Sequence, residues 1–164
     1  MITQKRVKEL FDYDDASGNL IFKESRGSVK KGKIAGTNKD GYLVVRVDKV
    51  LYRVHRLIWL YTQGYMPNVI DHINHNKKDN RLNNLRDVTV RENTKNISQR
   101  LDNTTGITGV SPVKRAGGVV RYVAEIWIEG KKKNLGTYGT KDEAAKSRKK
   151  AEIKYGFHEN HGGV

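Results

Sequence analysis

The chain has 164 residues, of which 32 are Lys or Arg and 18 are Asp or Glu, giving a formal net charge of +14. An excess of that size, present in both halves of the sequence, favours a polyanionic partner. No cysteine is present, which excludes disulfides and thiolate metal sites and leaves oxygen or imidazole nitrogen to hold any metal. No apolar run approaches the roughly 20 residues needed to span a bilayer, and Met1-Ile2-Thr3-Gln4-Lys5-Arg6 lacks a secretory pattern. The expectation is a soluble, intracellular (cytoplasmic) protein with no membrane partner, built as one ordinary domain or as two or three small ones.

In chain order, Val7, Leu10 and Phe11 predict a short helix over residues 3–11, followed by a turn at Asp14–Asn19 and a strand at Leu20-Ile21-Phe22. A basic, glycine-containing loop covers Arg26 to Lys33. Leu43, Val45 and Val47 alternate with Tyr42, Val44 and Arg46, and a second run passes through Leu51, Arg53 and His55, so a hairpin is predicted. Arg56 to Tyr61 starts a helix ending near Gly64, with its aromatics in the core.

The central stretch is Asp71-His72-Ile73-Asn74-His75-Asn76, followed by Asn83-Asn84-Leu85-Arg86 and Arg91-Glu92-Asn93. Val69-Ile70 leads as a strand into Asp71-His72. The polar residues from Asn74 to Asn80 form a loop, and Leu85 to Val88 returns as a second strand. Thr89 and Glu92 match a capping box, so a helix should begin at Val90 and carry Asn93 in its first turn.

Hydrolysis of a phosphodiester needs an activated water and a neutraliser for the phosphate and the departing oxygen. Asp71 offers a carboxylate and Asn93 an amide oxygen for a hard divalent cation, while neutral His72 offers the base. Adjacent strand residues point to opposite faces, so Asp71 and His72 share a centre only if the strand breaks there.

Residues 98–107 are polar and aperiodic and are expected to be a linker. Beyond it, Gly109 to Val113 fits an edge strand that tolerates Pro112. Tyr122 to Glu129 alternates strictly, and Lys131 to Gly136 returns from a turn at Glu129-Gly130. A second capping box, Thr140 with Glu143, opens a helix with Ala144, Ala145, Ala151 and Tyr155 on one stripe, stopping at Gly156. One face of this small sheet should stay open for a ligand. His158 and His161 fall in a glycine-rich tail expected to be disordered.

Asp71-His72, Asn83 to Thr89 and Glu92 to Asn96, with the upstream Val54-His55-Arg56-Leu57, resemble the HNH nucleases in the form found in phage and intron-encoded homing endonucleases. That resemblance implies an α+β fold with a ββα-metal core in a domain at residues 51–97, preceded by a basic β-rich segment at 1–50. It gives His72 the general-base role and Asp71 and Asn93 the metal, and Asn84 would fix the long loop and orient His72. Asparagine at 93, where the name-giving pattern has histidine, argues for Mg2+, or Mn2+, with no small-molecule cofactor. Arg86 and Arg91 are assigned to DNA.

Gly109-Val110, Tyr122 to Ile126, Leu135 to Tyr138 and Glu143-Ala144-Ala145 resemble the APETALA-type DNA-binding domain, here at residues 108–158 with a tail at 159–164. That family lays a three-stranded sheet in the major groove of double-stranded DNA, and by position Ser111, Val113, Glu125, Trp127, Lys132 and Asn134 would face it. Trp127 stands where arginine is usual, and Asn134 where tryptophan is usual.

Together these imply a site-selective homing-type endonuclease, acting as a monomer or homodimer and nicking rather than cutting both strands. The rivals are a non-catalytic DNA-binding regulator on a degenerate nuclease scaffold and an RNA-binding protein using Trp127 and Lys131 to Lys133.

Overall fold

The computed structural model describes residues 2–99 and 101–163. Met1, Arg100 and Val164, which belong to the expected N-terminal segment, linker and tail, lie outside them. The chain divides into two compact units, Met1–Asn93 and Thr94–Val164.

The first unit begins with α1 (Gln4–Leu10), whose N-terminus is capped by Thr3: its hydroxyl accepts from the Arg6 amide at 3.2 Å. Phe11, expected as the end of this helix, instead opens β1 (Phe11–Asp14), which pairs antiparallel with β2 (Asn19–Phe22). Val7, Leu10 and Phe11 keep helical spacing, which hides a four-residue alternation in which Phe11 is buried and Tyr13 half-buried while Asp12 and Asp14 are exposed. β3 (Thr37–Lys39), β4 (Tyr42–Val47) and β5 (Val50–Arg53) form a second antiparallel sheet with β4 central.

The strand expected to run through His55 stops at Arg53. Val54, His55, Leu57 and Ile58 are all buried, a helical rather than an alternating pattern, and they belong to α2 (Val54–Gln63). Gly64 ends α2 at φ 82°, a left-handed C-cap that favours glycine.

β6 (Val69–His72) and β7 (Leu85–Val88) form a third antiparallel pair, and α3 (Val90–Asn93) follows as a single turn packed beside both strands. The Thr89 hydroxyl accepts from the Glu92 amide at 3.1 Å, and Glu92 Oε2 accepts from the Thr89 amide at 2.8 Å, so this capping box forms as expected. One hydrophobic cluster joins Phe11, Leu20 and Phe22 of the first hairpin to Val45 and Val47, to Leu57, Ile58 and Leu60 of α2, and to Leu85.

In the second unit β8 (Val110–Lys114), β9 (Val120–Ile128) and β10 (Lys131–Tyr138) form an antiparallel sheet in the order β10-β9-β8, and α4 (Lys141–Lys154) packs on it. Pro112 lies on β8, an edge strand, as expected. Val110, Ala124 and Ala144 make a small core with Ile107, Tyr122, Leu135 and Tyr138. α4 buries Arg148 and Glu152 besides its alanines, and these two pair at 2.9 Å. His161, expected in a disordered tail, is buried: its Nε2 lies 3.1 Å from Arg148 Nη2, and its ring packs edge-on against Phe157. Within residues 98–107, Thr105 is also buried, its hydroxyl donating to the Val110 carbonyl at 2.8 Å.

Leu57 has no exposed surface and sits at the centre of the first unit's core. Leu57→Ala should therefore lower stability by about 2–5 kcal/mol. Urea unfolding followed by the fluorescence of the buried Trp59 checks this.

Candidate active site

The stretch from residue 73 to 84 is polar, so hydrogen bonds rather than apolar contacts must give it a shape. Asn74 Oδ1 accepts from the Asn76 amide at 2.9 Å, and Asn76 Oδ1 from the Lys78 amide at 3.1 Å, two successive side-chain turns. His75 takes φ 65° between them. Asn84, buried in the 3-10 turn before β7, closes the loop from inside. Its Oδ1 accepts from the Asn74 amide at 3.0 Å, and its Nδ2 donates to the Asp79 carbonyl at 2.8 Å. Arg81 Nη2 lies 2.6 Å from Asp79 Oδ2, and this pairing holds the Asp79 carboxyl down at about 2.

β6 ends at His72, where the loop begins, and Asp71 and His72 are both buried. Asp71 lies opposite Arg86 in the β6–β7 register, and Asp71 Oδ2 accepts from Arg86 Nε at 2.9 Å and Nη2 at 2.6 Å. Arg86, assigned to DNA from the sequence, is thus bound to Asp71 within the hairpin. His72 Nε2 lies 3.1 Å from the side-chain oxygen of Asn80. The ring of His72 meets His55 edge-on at 4.9 Å, and Tyr42 lies 5.4 Å from His55 and 6.1 Å from His72. Arg53, 4.2 Å from the Tyr42 centroid, and Lys77, 4.9 Å from it, cover the Tyr42 ring.

Burial is the main cause of the low proton affinity of both imidazoles. It moves His72 below the ordinary histidine range, against the opposing effect of the Asn80 contact and of Asp71. His55 falls to about 3, helped by the charges of His72, Arg53 and Arg56. Both are therefore neutral at pH 7, and a neutral imidazole can accept a proton.

Asn93, half-buried, ends α3, while Arg91 is exposed on the same turn. Among the described residues no group of three or more His, Asp or Glu could hold a metal ion. Asp71 and Asn93 carry oxygen donors, and a hard divalent cation that keeps most of its coordination as water and phosphate oxygen would suit such donors.

In the second unit the register puts Lys132 opposite Trp127, Asn134 opposite Glu125, and Ser111 and Val113 opposite Val123 and Arg121. All six residues expected on the open face thus share one side of the sheet. Trp127 is 62% exposed. Glu125, expected to face the major groove, is ion-paired to Lys132 at 2.6 Å. Asn134 Oδ1 accepts from the Gly136 amide at 2.7 Å, at a bulge in β10.

Residues 52–95 match a family model for HNH endonucleases. This match supports nuclease chemistry on DNA at the family level, and nucleases of this family generally depend on a divalent metal. No curated protein and no solved structure matches the chain. Among the described residues no helix is long and apolar enough to cross a membrane.

Asn80 and Tyr42 were not read as site residues from the sequence. Asn80 sits at the end of a loop full of asparagines, and only its burial, at 1% exposure, sets it apart. Tyr42 lies thirty residues upstream on another sheet, a separation that no local pattern bridges.

The depressed affinity of His55 has a consequence for stability. The unfolded chain takes a proton on this residue near pH 6.5, whereas the folded chain takes it near 3. Between these values the unfolded state binds more protons, so the stabilisation present above pH 6.5 is lost as pH falls toward 3. The loss should approach about 1.4 kcal/mol per pH unit at most for this one group. Urea titrations between these limits should give a shallower pH slope for His55→Gln than for the parent.

Proposed function

We propose that the protein is a divalent-metal-dependent DNA endonuclease of the homing type. Its ββα-metal centre would comprise β6, β7 and α3 within residues 51–97, and an APETALA-type sheet at 108–158 would select the target. The observation that carries this reading is His72, a buried neutral imidazole beside a buried carboxylate in the segment matched by the HNH model.

In this reading Asp71 and Asn93 would hold the cation, Mg2+ or Mn2+, which when bound would supply neutralisation of charge on the phosphate and the leaving oxygen. His72 takes the proton of the attacking water on its imidazole, and its lowered proton affinity keeps it ready below neutral pH. Arg86 holds the Asp71 carboxylate in place. Asn84 keeps the loop folded over the end of β6. A chain with one centre cuts one strand per visit, so a monomer nicks, and a double-strand break needs a homodimer or two visits.

The net charge of +14 supports a duplex partner. Ser111, Val113, Trp127, Lys132 and Asn134 supply the reading face, with Glu125 and Lys132 held to each other until a base edge replaces one of them. Arg91, exposed on α3, is placed to meet a phosphate.

Incubation of supercoiled plasmid bearing a target library with Mg2+ should yield nicked circles. His72→Ala should slow this by about 100-fold or more, in the range for loss of a positioned base, and chelation of the metal should abolish it. Undiminished cleavage by His72→Ala removes the general-base assignment. Tight, salt-sensitive binding with no cleavage under any divalent metal favours the non-catalytic regulator instead.

Trp127→Ala should weaken duplex binding about 5-fold or more, equivalent to roughly 1 kcal/mol. Because the side chain is largely exposed, the thermal midpoint should not change. A fluorescence anisotropy titration reads the affinity.

A further inference from the structure

One polar contact on His72 comes from Asn80, and Asn80 is held from outside the β6–β7 hairpin. The Tyr13 hydroxyl, on β1, accepts from the Leu82 amide at 3.0 Å and has two acceptors for its one proton, the Asn80 carbonyl at 3.2 Å and the Asp15 carboxylate at 3.1 Å. Tyr13 therefore spans both ends of the Asn80-Arg81-Leu82 segment. Gly18, in the β1–β2 turn at φ 73°, presses on the same segment: a Cβ built there would lie 2.7 Å from the Asn80 carbonyl carbon. The closeness excludes any side chain at 18 unless the loop moves, and the positive φ independently favours glycine. Phe11, Leu20 and Phe22 anchor this first hairpin in the core shared with α2 and Leu85.

The chemistry of the Asn80 contact fixes a protonation pattern. An amide oxygen only accepts, so the 3.1 Å contact is a hydrogen bond only when His72 carries its proton on Nε2. Nδ1 then bears the lone pair. Asn80 Nδ2 is buried without a partner, so the amide gives up one hydrogen bond in this pose, a cost tolerated where the surrounding structure fixes the orientation.

We infer that Asn80 and Tyr13 are positioning residues of the nuclease centre, with the N-terminal β1–β2 hairpin bracing the loop so that Asn80 holds His72 in the Nε2–H tautomer. Neither residue touches the reacting atoms; both act through His72. The inference rests on the reading of His72 as the general base, and it gives the N-terminal segment a part in catalysis.

The test pairs ring NMR with kinetics. Long-range 1H–15N correlation spectra of the 15N-labelled full chain report the His72 tautomer without requiring activity. The parent should show Nε2–H. Asn80→Ala should lose that preference and lower kcat by about 10- to 100-fold, the range seen when the partner orienting a functional imidazole is removed, with KM for plasmid unchanged. Tyr13→Phe keeps the ring and its packing, and should shift the His72 resonances in the same direction with a smaller loss of kcat. Gly18→Ala should do the same by displacing the loop.

An Nδ1–H tautomer in the parent overturns the inference. So do unchanged His72 resonances and unchanged kcat in Tyr13→Phe, a variant that does not threaten the fold. Cleavage that survives His72→Ala removes the general-base reading instead, and the ring spectra then still decide whether the hairpin positions the imidazole.

Discussion

The loop between β6 and β7 depends on the two hydrogen bonds of the Asn84 side chain. The residues between β6 and β7 bring almost no apolar surface, so burial cannot fold them, and each buried backbone group must find a polar partner. Asn84 offers one acceptor and one donor from a single rigid plane, and spends them on the Asn74 amide and the Asp79 carbonyl. With those two points tied, the turns at Asn74 and Asn76 follow locally, and Asn80 is carried to the ring of His72. An aspartate at 84 would keep the acceptor and lose the donor; leucine would lose both.

Electrostatics at the end of β6 follow from burial. A carboxylate out of water needs a partner, and the cross-strand position opposite Asp71 supplies a guanidinium through two of its nitrogens. The imidazoles meet the same constraint by staying neutral, which explains why His72 and His55 can lie ring to ring although both could carry charge in water. Arg53 and Lys77 lie over the ring of Tyr42, 4.2 Å and 4.9 Å from its centroid. The site thus combines a compensated negative charge, neutral imidazoles and nearby positive charge.

What could be read from the sequence was what local chemistry decides. The capping boxes at Thr89 and Thr140, the glycine stop at Gly64 and the strict alternation of β9 each depend on residues within one turn or one strand. Elsewhere two periods compete over a few residues. Phe11 and His55 each lie at a junction where a helix and a strand share apolar positions, and tertiary burial, not spacing, sets the boundary. Asp71, His72 and Asn84 stand out because turn chemistry and the proposed hydrolysis both call for polar residues in one block. The partners of that block did not: Tyr13 and Asn80 are 67 residues apart, and their contact exists only because the first hairpin shares a core with α2. His161 departs from the expected tail for a related reason. A glycine-rich end looks disordered from composition, yet Arg148, buried on α4, holds its ring from the side.

The second unit is small enough that its sheet has one side to give to α4 and one side to water. Ala124 and Ala144, both fully buried, let the helix approach the strands closely, which concentrates the limited apolar area on that side. The other side keeps an exposed indole and a carboxylate–ammonium pair. A large exposed aromatic side chain costs solubility and contributes nothing to this core, and an exposed ion pair adds little stability. Neither feature is therefore explained by the fold of the unit itself. Both are what a surface needs if it is to stack on, or exchange hydrogen bonds with, a polar and anionic ligand, and the charge of the chain has the sign to attract one.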